Sequence, residues 1–521
     1  MPYVMNPDWL GNTTVYQIYV RSFADGDGDG NGDIDGVIEH LPYIKNLGVD
    51  AIWLSPIMPS PNHDWGYDVS DYYSVANDYG GMPALSRLIE RSSHLSLKVL
   101  LDLIPNHTSS EHPWFISARS SRDSPYRDYY VWADPLLDGG APNNWLDATG
   151  ASAWTYDPNS KQYFLHNFLP TQPDLNWWNP KIQDEFRDIL RFWFDLGIDG
   201  FRVDVAHGIY KDHLLRDDPV APAGRASPFT HFGLLERYSK NRPEVHNLYR
   251  SWRKLASEYE PPKVLIGETW VGDIDAMVRF YGNNDELSLA MNFPFTFSEF
   301  QAGTIVPLIT ETLAKLPVGA HACWAASNHD ISRFPTRWCA DDETRVRSAL
   351  ILLTTLPGTL ILYYGDELGL GDSIVGDELL RDEITAHAST GFKRDYARAP
   401  MPWNHDPKHG FTKGEPWLPF GRIATDVETQ HADEHSILNF TRKLLSIRRS
   451  NVLSPLATLS LDELVWSYRV GQLEVHINFS GQTVESTTSG GVLVDIWGAE
   501  RSICEGAYTL EPFAACIIRQ S

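Results

Sequence analysis

Cysteine is scarce in this chain of 521 residues: there are four, Cys323, Cys339, Cys504 and Cys516. So few and so scattered, they exclude a disulfide framework and a cysteine-based metal cluster, and they fit reduced thiols. Positive charge is also in short supply, with 43 Lys and Arg against 68 Asp and Glu and a formal net charge of −25. Nucleic-acid binding needs a basic stripe, and the sequence has none. No uninterrupted apolar run reaches the roughly 18 residues that a membrane span requires. The opening stretch, MPYVMNPDWLGNTTVYQIYV, lacks the basic region and apolar run of a secretory leader. These absences predict a soluble, cytoplasmic protein with neither nucleic acid nor membrane as a partner.

What is present is a series of short apolar runs separated by longer amphipathic stretches. VYQIYV (15–20), DAIWLS (50–55), KVLLDL (98–103), GFRVDV (200–205), VLIGE (264–268), SLAMNF (288–293), CWAAS (323–327) and TLILYY (359–364) read as buried strands. Helical patterns such as 80–95 and 180–197 follow or precede several of them, and strand–helix alternation predicts a parallel sheet. Eight such strands in series predict an α/β protein built as a (β/α)₈ barrel over 1–107 and 180–454, with an open sheet as the alternative that periodicity alone leaves standing. Residues 108–179, rich in Trp, Tyr, Pro, Asn and Asp, break the rhythm and predict a domain inserted after the third strand. From 455 to 521, alternating runs such as LVWSYRV and LEVHINFS between Gly and Ser turns predict a C-terminal antiparallel β-sandwich domain.

Polar residues collect at the C-terminal ends of these strands, where barrels carry their sites. The third strand runs into Asp102 and Asn106-His107, the fourth into Arg202 and Asp204, the fifth into Glu268, and the seventh into Asn328-His329-Asp330. One strand-end Asp is usually a helix cap; four strands offering Asp, Glu, His and Arg at one rim point to chemistry. Acetal cleavage uses such a set, with one carboxylate attacking the anomeric carbon while a second, protonated carboxyl serves the leaving oxygen. Arg202 and Asp204, two residues apart, share a strand face, so the guanidinium is expected to orient Asp204 and keep it ionised.

The motifs DLIPNH (102–107), GFRVDVAH (200–207), GETW (267–270) and SNHD (327–330), in that order, resemble those of the α-amylase family. QPDLN (172–176), GYDVSDY (66–72), LPGTLILYYGDELG (356–369) and RDYARAPMPW (394–403) narrow the resemblance to its oligo-1,6-glucosidase/α-glucosidase group. It covers nearly the whole chain. The resemblance implies Asp204 as nucleophile, Glu268 as general acid/base and Asp330 as a third carboxylate that binds sugar hydroxyls. It also implies that Arg202, His107, His329, Asp64 and Tyr67 hold the terminal glucose, and that Asp64 and Arg398 close the pocket around it.

DGDGDGNGD (25–33) sets Asp25, Asp27, Asp29 and Asp33 at alternating positions among glycines, a pattern suited to a hard cation. An EF-hand requires Glu twelve residues into the loop, where this chain has Gly36. In the resembling group such a loop is a structural Ca²⁺ or Mg²⁺ site, which implies the Asn31 carbonyl as a further contributor. No organic cofactor is implied.

The implied activity is exo-acting release or transfer of glucose from short α-glucosides such as maltose, with a sugar hydroxyl as the possible acceptor. α-Glucosyltransferase, oligo-1,6-glucosidase and trehalose synthase-like isomerase are the alternatives. A non-catalytic transporter subunit is the remote one, disfavoured by the intact carboxylates. Val205, following the nucleophile position, resembles α-1,6-acting members, while Ala206-His207 departs from them. Thr149 stands where many relatives carry Phe, and the long segment 216–255 is expected to line the acceptor side.

Overall fold

The computed structural model describes residues 8–222, 231–386, 393–421, 425–488, 491–494, 501–503 and 506–519. Its centre is a sheet of eight parallel strands: β1 (Thr14–Ile18), β2 (Ala51–Leu54), β3 (Lys98–Leu103), β4 (Gly200–Val203), β5 (Val264–Gly267), β6 (Leu289–Ala290), β7 (Cys323–Ala325) and β8 (Thr359–Tyr363). β1 lies between β8 and β2, with Val15 opposite both Ile361 and Ala51, so the sheet curls back on itself. Among the described residues the ladder is interrupted between β6 and β7. There the Thr296 hydroxyl, just past β6, donates to the carbonyl of Ala325 in β7 at 2.8 Å.

Strand alternation sorts the side chains into two layers. Val15, Ala51, Trp53, Leu100, Val264, Ile266, Cys323, Ala325 and Ile361 fill the barrel interior. Tyr16, Ile52, Leu54, Leu101, Phe201, Leu265 and Leu360 face outward into the core shared with the helices. The helix Pro180–Asp195 shows how local signals build that outer layer. Asn179 caps it by accepting from the Lys181 N–H, Pro180 opens it, and Gly197 follows its end at φ +105°. Ile182, Phe186, Ile189, Leu190, Trp193 and Phe194 recur at helical spacing and are all buried. Each such side chain contributes about 1.5–3 kcal/mol.

The insertion after β3 holds the helix Pro113–Ser120 and a three-stranded antiparallel sheet of Trp132–Ala133, Gln162–Leu165 and Trp154–Asp157. Beyond the barrel, a six-stranded antiparallel sheet begins with Leu456–Leu461, and a two-stranded one pairs Val484–Thr488 with Gly506–Leu510. Trp466 and Tyr468 of the larger sheet join the main core, and the Tyr468 hydroxyl lies 2.5 Å from Thr355 Oγ1. Cys323, Cys339 and Cys516 are buried free thiols, and Cys504 lies outside the described residues. Among the described residues no helix is long and apolar enough to cross a membrane.

Gly200 opens β4 because the strand behind it leaves no room: an added Cβ would lie 2.3 Å from the Val264 carbonyl oxygen. Gly200→Ala is therefore expected to cost about 1–3 kcal/mol, read as a lower urea midpoint. An unchanged midpoint would show that β4 and β5 separate freely.

Candidate functional site

The inward face of β3 to β5 changes from apolar to charged at its C-terminal rim. Asp102 and Arg202 are direct cross-strand partners, and Arg202 lies opposite Ile266, two residues before Glu268. Backbone bonds extend the pairing past the strand ends: Asp204 N donates to Leu103 O at 2.8 Å and Glu268 N to Val203 O at 2.9 Å.

One buried guanidinium serves three carboxylates. Arg202 Nη1 donates to Asp102 Oδ1 at 2.8 Å and Asp204 Oδ1 at 2.6 Å, while Nη2 lies 2.7 Å from Glu268 Oε1. The neighbouring arms of one planar fork thus hold Asp204 and Glu268 side by side. Asp102 also accepts from the Tyr67 hydroxyl at 3.0 Å and Trp53 Nε1 at 3.3 Å. Burial pushes the Asp204 carboxyl well above the usual carboxylate range; Arg202 pulls it down, and the Glu268 and Asp102 charges push it up again. Arg202 holds Asp204 in place, while burial outweighs its downward pull on the carboxyl.

The second oxygen of Glu268 is fixed by backbone. Val205 N donates to Glu268 Oε2 at 2.8 Å. Val205 adopts φ +44°, a left-handed conformation that a β-branched residue rarely takes and that carries strain.

A separate ion cluster surrounds Asp330. Its Oδ1 lies 3.0 Å from Arg394 Nη1 and 3.1 Å from Arg398 Nη2, and its Oδ2 lies 3.0 Å from His329 Nε2. Burial raises the Asp330 carboxyl, but His329, Arg394 and Arg398 outweigh it and hold it well below the usual range. The Gln17 amide lies 3.0 Å from His329 Nδ1, and the His329 ring stacks with Tyr67 at 5.2 Å and Tyr19 at 5.7 Å. Asp64 pairs with Arg394 at 2.7 Å, whereas Arg398 is wholly buried and donates Nε to the His329 carbonyl. Asp64 thus pairs with Arg394, where the resemblance implied a role beside Arg398. Asp382 fixes Arg394 from behind, accepting from Nε at 3.0 Å and from Nη2.

The insertion's QPDLN segment reaches this rim. Gln172 Nε2 donates to Asp64 Oδ2 at 3.0 Å, and Asp174 lies 2.8 Å from the buried Lys211 ammonium. Lys211 also donates to Asn106 Oδ1, and Asn106 Nδ2 lies 3.1 Å from His107 Nδ1. His107 Nε2 lies 2.9 Å from the Tyr67 carbonyl. Burial keeps His107 below the ordinary histidine range.

These groups border a cavity of about 280 Å³. Of the expected residues, Asp204, Glu268, Asp330, Asp64, Tyr67 and His107 line it, and Arg202, His329 and Arg398 stand behind them. Sequence reasoning missed Phe168, Trp270 and Arg394 among the lining residues. Within the segment 216–255 it also did not single out His231, Glu236 and Lys240, which line the cavity too. Ala148 reaches the cavity in place of Thr149, whose hydroxyl turns to Asp147 Oδ1 at 2.7 Å.

Residues 17–455 match the family described as Alpha amylase, catalytic domain. The chain belongs to the α-amylase family. This α-amylase family member is 38% identical over 462 residues to a probable alpha-glucosidase of Rhizobium meliloti (strain 1021), covering 85% of this chain and 83% of that one. It is 35% identical to the trehalose-6-phosphate hydrolase of Bacillus subtilis (strain 168), covering 98% of each. Among solved structures, the alpha-glucosyl transfer enzyme XgtA superposes with a TM-score of 0.93 at 36% identity, covering 99% of this chain and 100% of that one. Homology of this extent makes the chain a glycosidase by class.

The acidic loop of this family member is divided. Oxygens of Asp25, Asp27 and Asp29 converge within 4.8 Å of one another. Asp33 does not join them. Its side chain caps the helix Ile34–Leu47 by accepting from Gly36 N at 2.7 Å, and its other oxygen accepts from Gly26 N at 3.0 Å. The Asn31 side-chain oxygen accepts from Arg21 Nη1 at 2.7 Å. Of the expected contributors, the side chains of Asp25, Asp27 and Asp29 converge, while that of Asp33 is engaged as a helix cap.

Asp330 and Asp382 both titrate below the ordinary carboxylate value of 3.8. Their pairing therefore stabilises the fold fully above about pH 4 and is lost as pH falls through the lowered values. Asp382→Asn is expected to lower the melting temperature most above pH 4, with the gap to wild type closing towards pH 2. A gap independent of pH would sever Asp382 from that linkage.

Proposed function

We propose that this chain is a retaining, exo-acting α-glucosidase that releases or transfers glucose from the non-reducing end of short α-glucosides such as maltose. The observation that carries the reading is the Arg202 fork, which holds Asp204 and Glu268 on adjacent arms at 2.6 and 2.7 Å. Retaining glycosidases need their two carboxyls about 5–5.5 Å apart, so that one attacks while the other protonates. In the proposed mechanism Asp204 attacks the anomeric carbon while Glu268 gives a proton to the leaving oxygen. Glu268 then takes a proton from the incoming water or sugar hydroxyl, which displaces Asp204.

Asp330 and His329 would accept from and donate to glucose hydroxyls. His107 and Tyr67 would flank the ring, and the Asp64–Arg394 pair would end the pocket beyond the first glucose. A cavity of about 280 Å³ suits a small sugar rather than a polymer threading through. The relatives named alpha-glucosidase, oligo-1,6-glucosidase and alpha-glucosyl transfer enzyme support the substrate class and leave hydrolysis and transfer both within reach. The three converging carboxylates of Asp25, Asp27 and Asp29 support a structural Ca²⁺ or Mg²⁺. The buried free thiols support a cytoplasmic setting.

Asp204→Asn and Glu268→Gln are expected to lose about 10³-fold or more in kcat/KM on maltose while keeping the wild-type circular dichroism spectrum. The first-formed glucose should be the α anomer, and an inverted product would reject Asp204 as nucleophile. Assays on isomaltose, trehalose and sucrose decide the linkage, and internal cleavage of starch at the maltose rate would overturn the exo reading. Chelation by EDTA is expected to lower the melting temperature, with Ca²⁺ or Mg²⁺ restoring it; an unmoved transition would remove the cation from the loop.

A further inference from the structure

Part of the cavity wall is built by the segment after β4. Glu236 Oε1 lies 2.6 Å from Lys240 Nζ, and both side chains are largely buried, at 14% and 11% exposure. His207 and His231 complete this wall. Burial, with Lys240 adding to it, brings His207 down to about 4, so its ring is neutral at ordinary pH. The wall is fastened to the insertion: His231 Nε2 lies 2.6 Å from the Asp147 carbonyl, and Trp145 Nε1 donates to Arg216 O at 2.9 Å. The wall adjoins Glu268, whose carbonyl lies 3.4 Å from His207 Nδ1.

We infer that Glu236, Lys240 and His207 form the acceptor site of this enzyme, and that the site takes neutral hydroxylated acceptors and rejects phosphorylated ones. The inference rests on the α-glucosidase reading above. A sugar hydroxyl both donates and accepts, and the wall offers both functions. Among the described residues, Lys240 keeps two N–H groups beyond its bond to Glu236, Glu236 keeps its second oxygen, and His207 Nε2 has no partner. A phosphate brings a charge of about −1.5 to −2 and needs a free cation. Among the described residues, the Lys and Arg side chains that line the cavity are Lys240, bound by Glu236, and Arg394, held by Asp64, Asp330 and Asp382. Asp204 and Glu268 add to the repulsion. In the transfer step the acceptor oxygen forms the new bond to the anomeric carbon as the Asp204 ester bond breaks. The acceptor's proton passes to Glu268, and Asp204 leaves as a carboxylate.

The test uses p-nitrophenyl α-D-glucopyranoside as donor, with glucose or glucose 6-phosphate as acceptor at equal concentration. Release of p-nitrophenol reports donor cleavage, and disaccharide yield reports the acceptor. Wild type is expected to transfer to glucose at least about tenfold better than to glucose 6-phosphate, a difference of about 1.4 kcal/mol. Glu236→Gln, which frees the Lys240 charge while keeping the side-chain shape, should narrow that ratio by raising transfer to glucose 6-phosphate. Lys240→Met should lower the ratio of transfer to hydrolysis with glucose. Equal transfer to both acceptors by wild type, or ratios unmoved in both variants, would overturn the inference. Failure of wild type to release p-nitrophenol would instead overturn the α-glucosidase reading.

Discussion

The site depends on one cation shared three ways. Arg202 reaches Asp102, Asp204 and Glu268 from the middle of three adjacent strands, and it can do so only in the observed register. A slip of one residue in β4 would turn the guanidinium into the helix layer and bring Val203 inward. Asp102 is pinned in turn by Trp53 and Tyr67, so the fork is held from the barrel interior and from the loop after β2. Removing the cation would leave buried carboxylates facing each other, the case in which burial is most costly. One arrangement thus orients both residues proposed for the chemistry.

The insertion acts on this centre through buried polar contacts. Asp174 meets Lys211, Lys211 meets Asn106, and Asn106 meets His107, joining QPDLN to the ends of β3 and β4. A buried ion pair contributes little net stability once desolvation is counted. What it adds is position, since each partner would be left uncompensated by any other placement of the insertion. Gln172 then brings the same segment against Asp64, and the pocket's far wall is set by a domain outside the barrel.

Much of this was legible because it repeats. Recurring short apolar runs marked the strands, and polar residues at successive strand ends marked Asp102, Arg202, Asp204 and Glu268 as members of one rim. What escaped depends on contacts distant in sequence. Arg394 and Arg398 lie one turn apart, and nothing local distinguishes them; the choice is made by Asp382 and by Asp64, 330 positions away. Asp33 is different, because its signal was present. An Asp immediately before an amphipathic helix is a cap before it is a ligand, and the alternating acidic pattern concealed that. Glu236 and Lys240 sit in a segment with no regular periodicity, so their placement follows from how it is bound to the insertion.

The cavity's charges also account for the form of recognition proposed for it. Among the described residues its lining Lys and Arg side chains are engaged with carboxylates, and those ion pairs present a neutral but strongly polar surface. Such a surface binds by exchanging hydrogen bonds with water for hydrogen bonds with hydroxyls, an exchange of small net value at each contact. Selectivity then comes from groups that would be stranded if the wrong ligand entered, because an unpaired buried polar atom costs more than a made bond returns. Glucose, with a hydroxyl on nearly every carbon, can satisfy many fixed partners at once. A charged substituent would have to break an existing ion pair before gaining one. The pairing that preserves the wall is therefore also what narrows its ligands to neutral sugars.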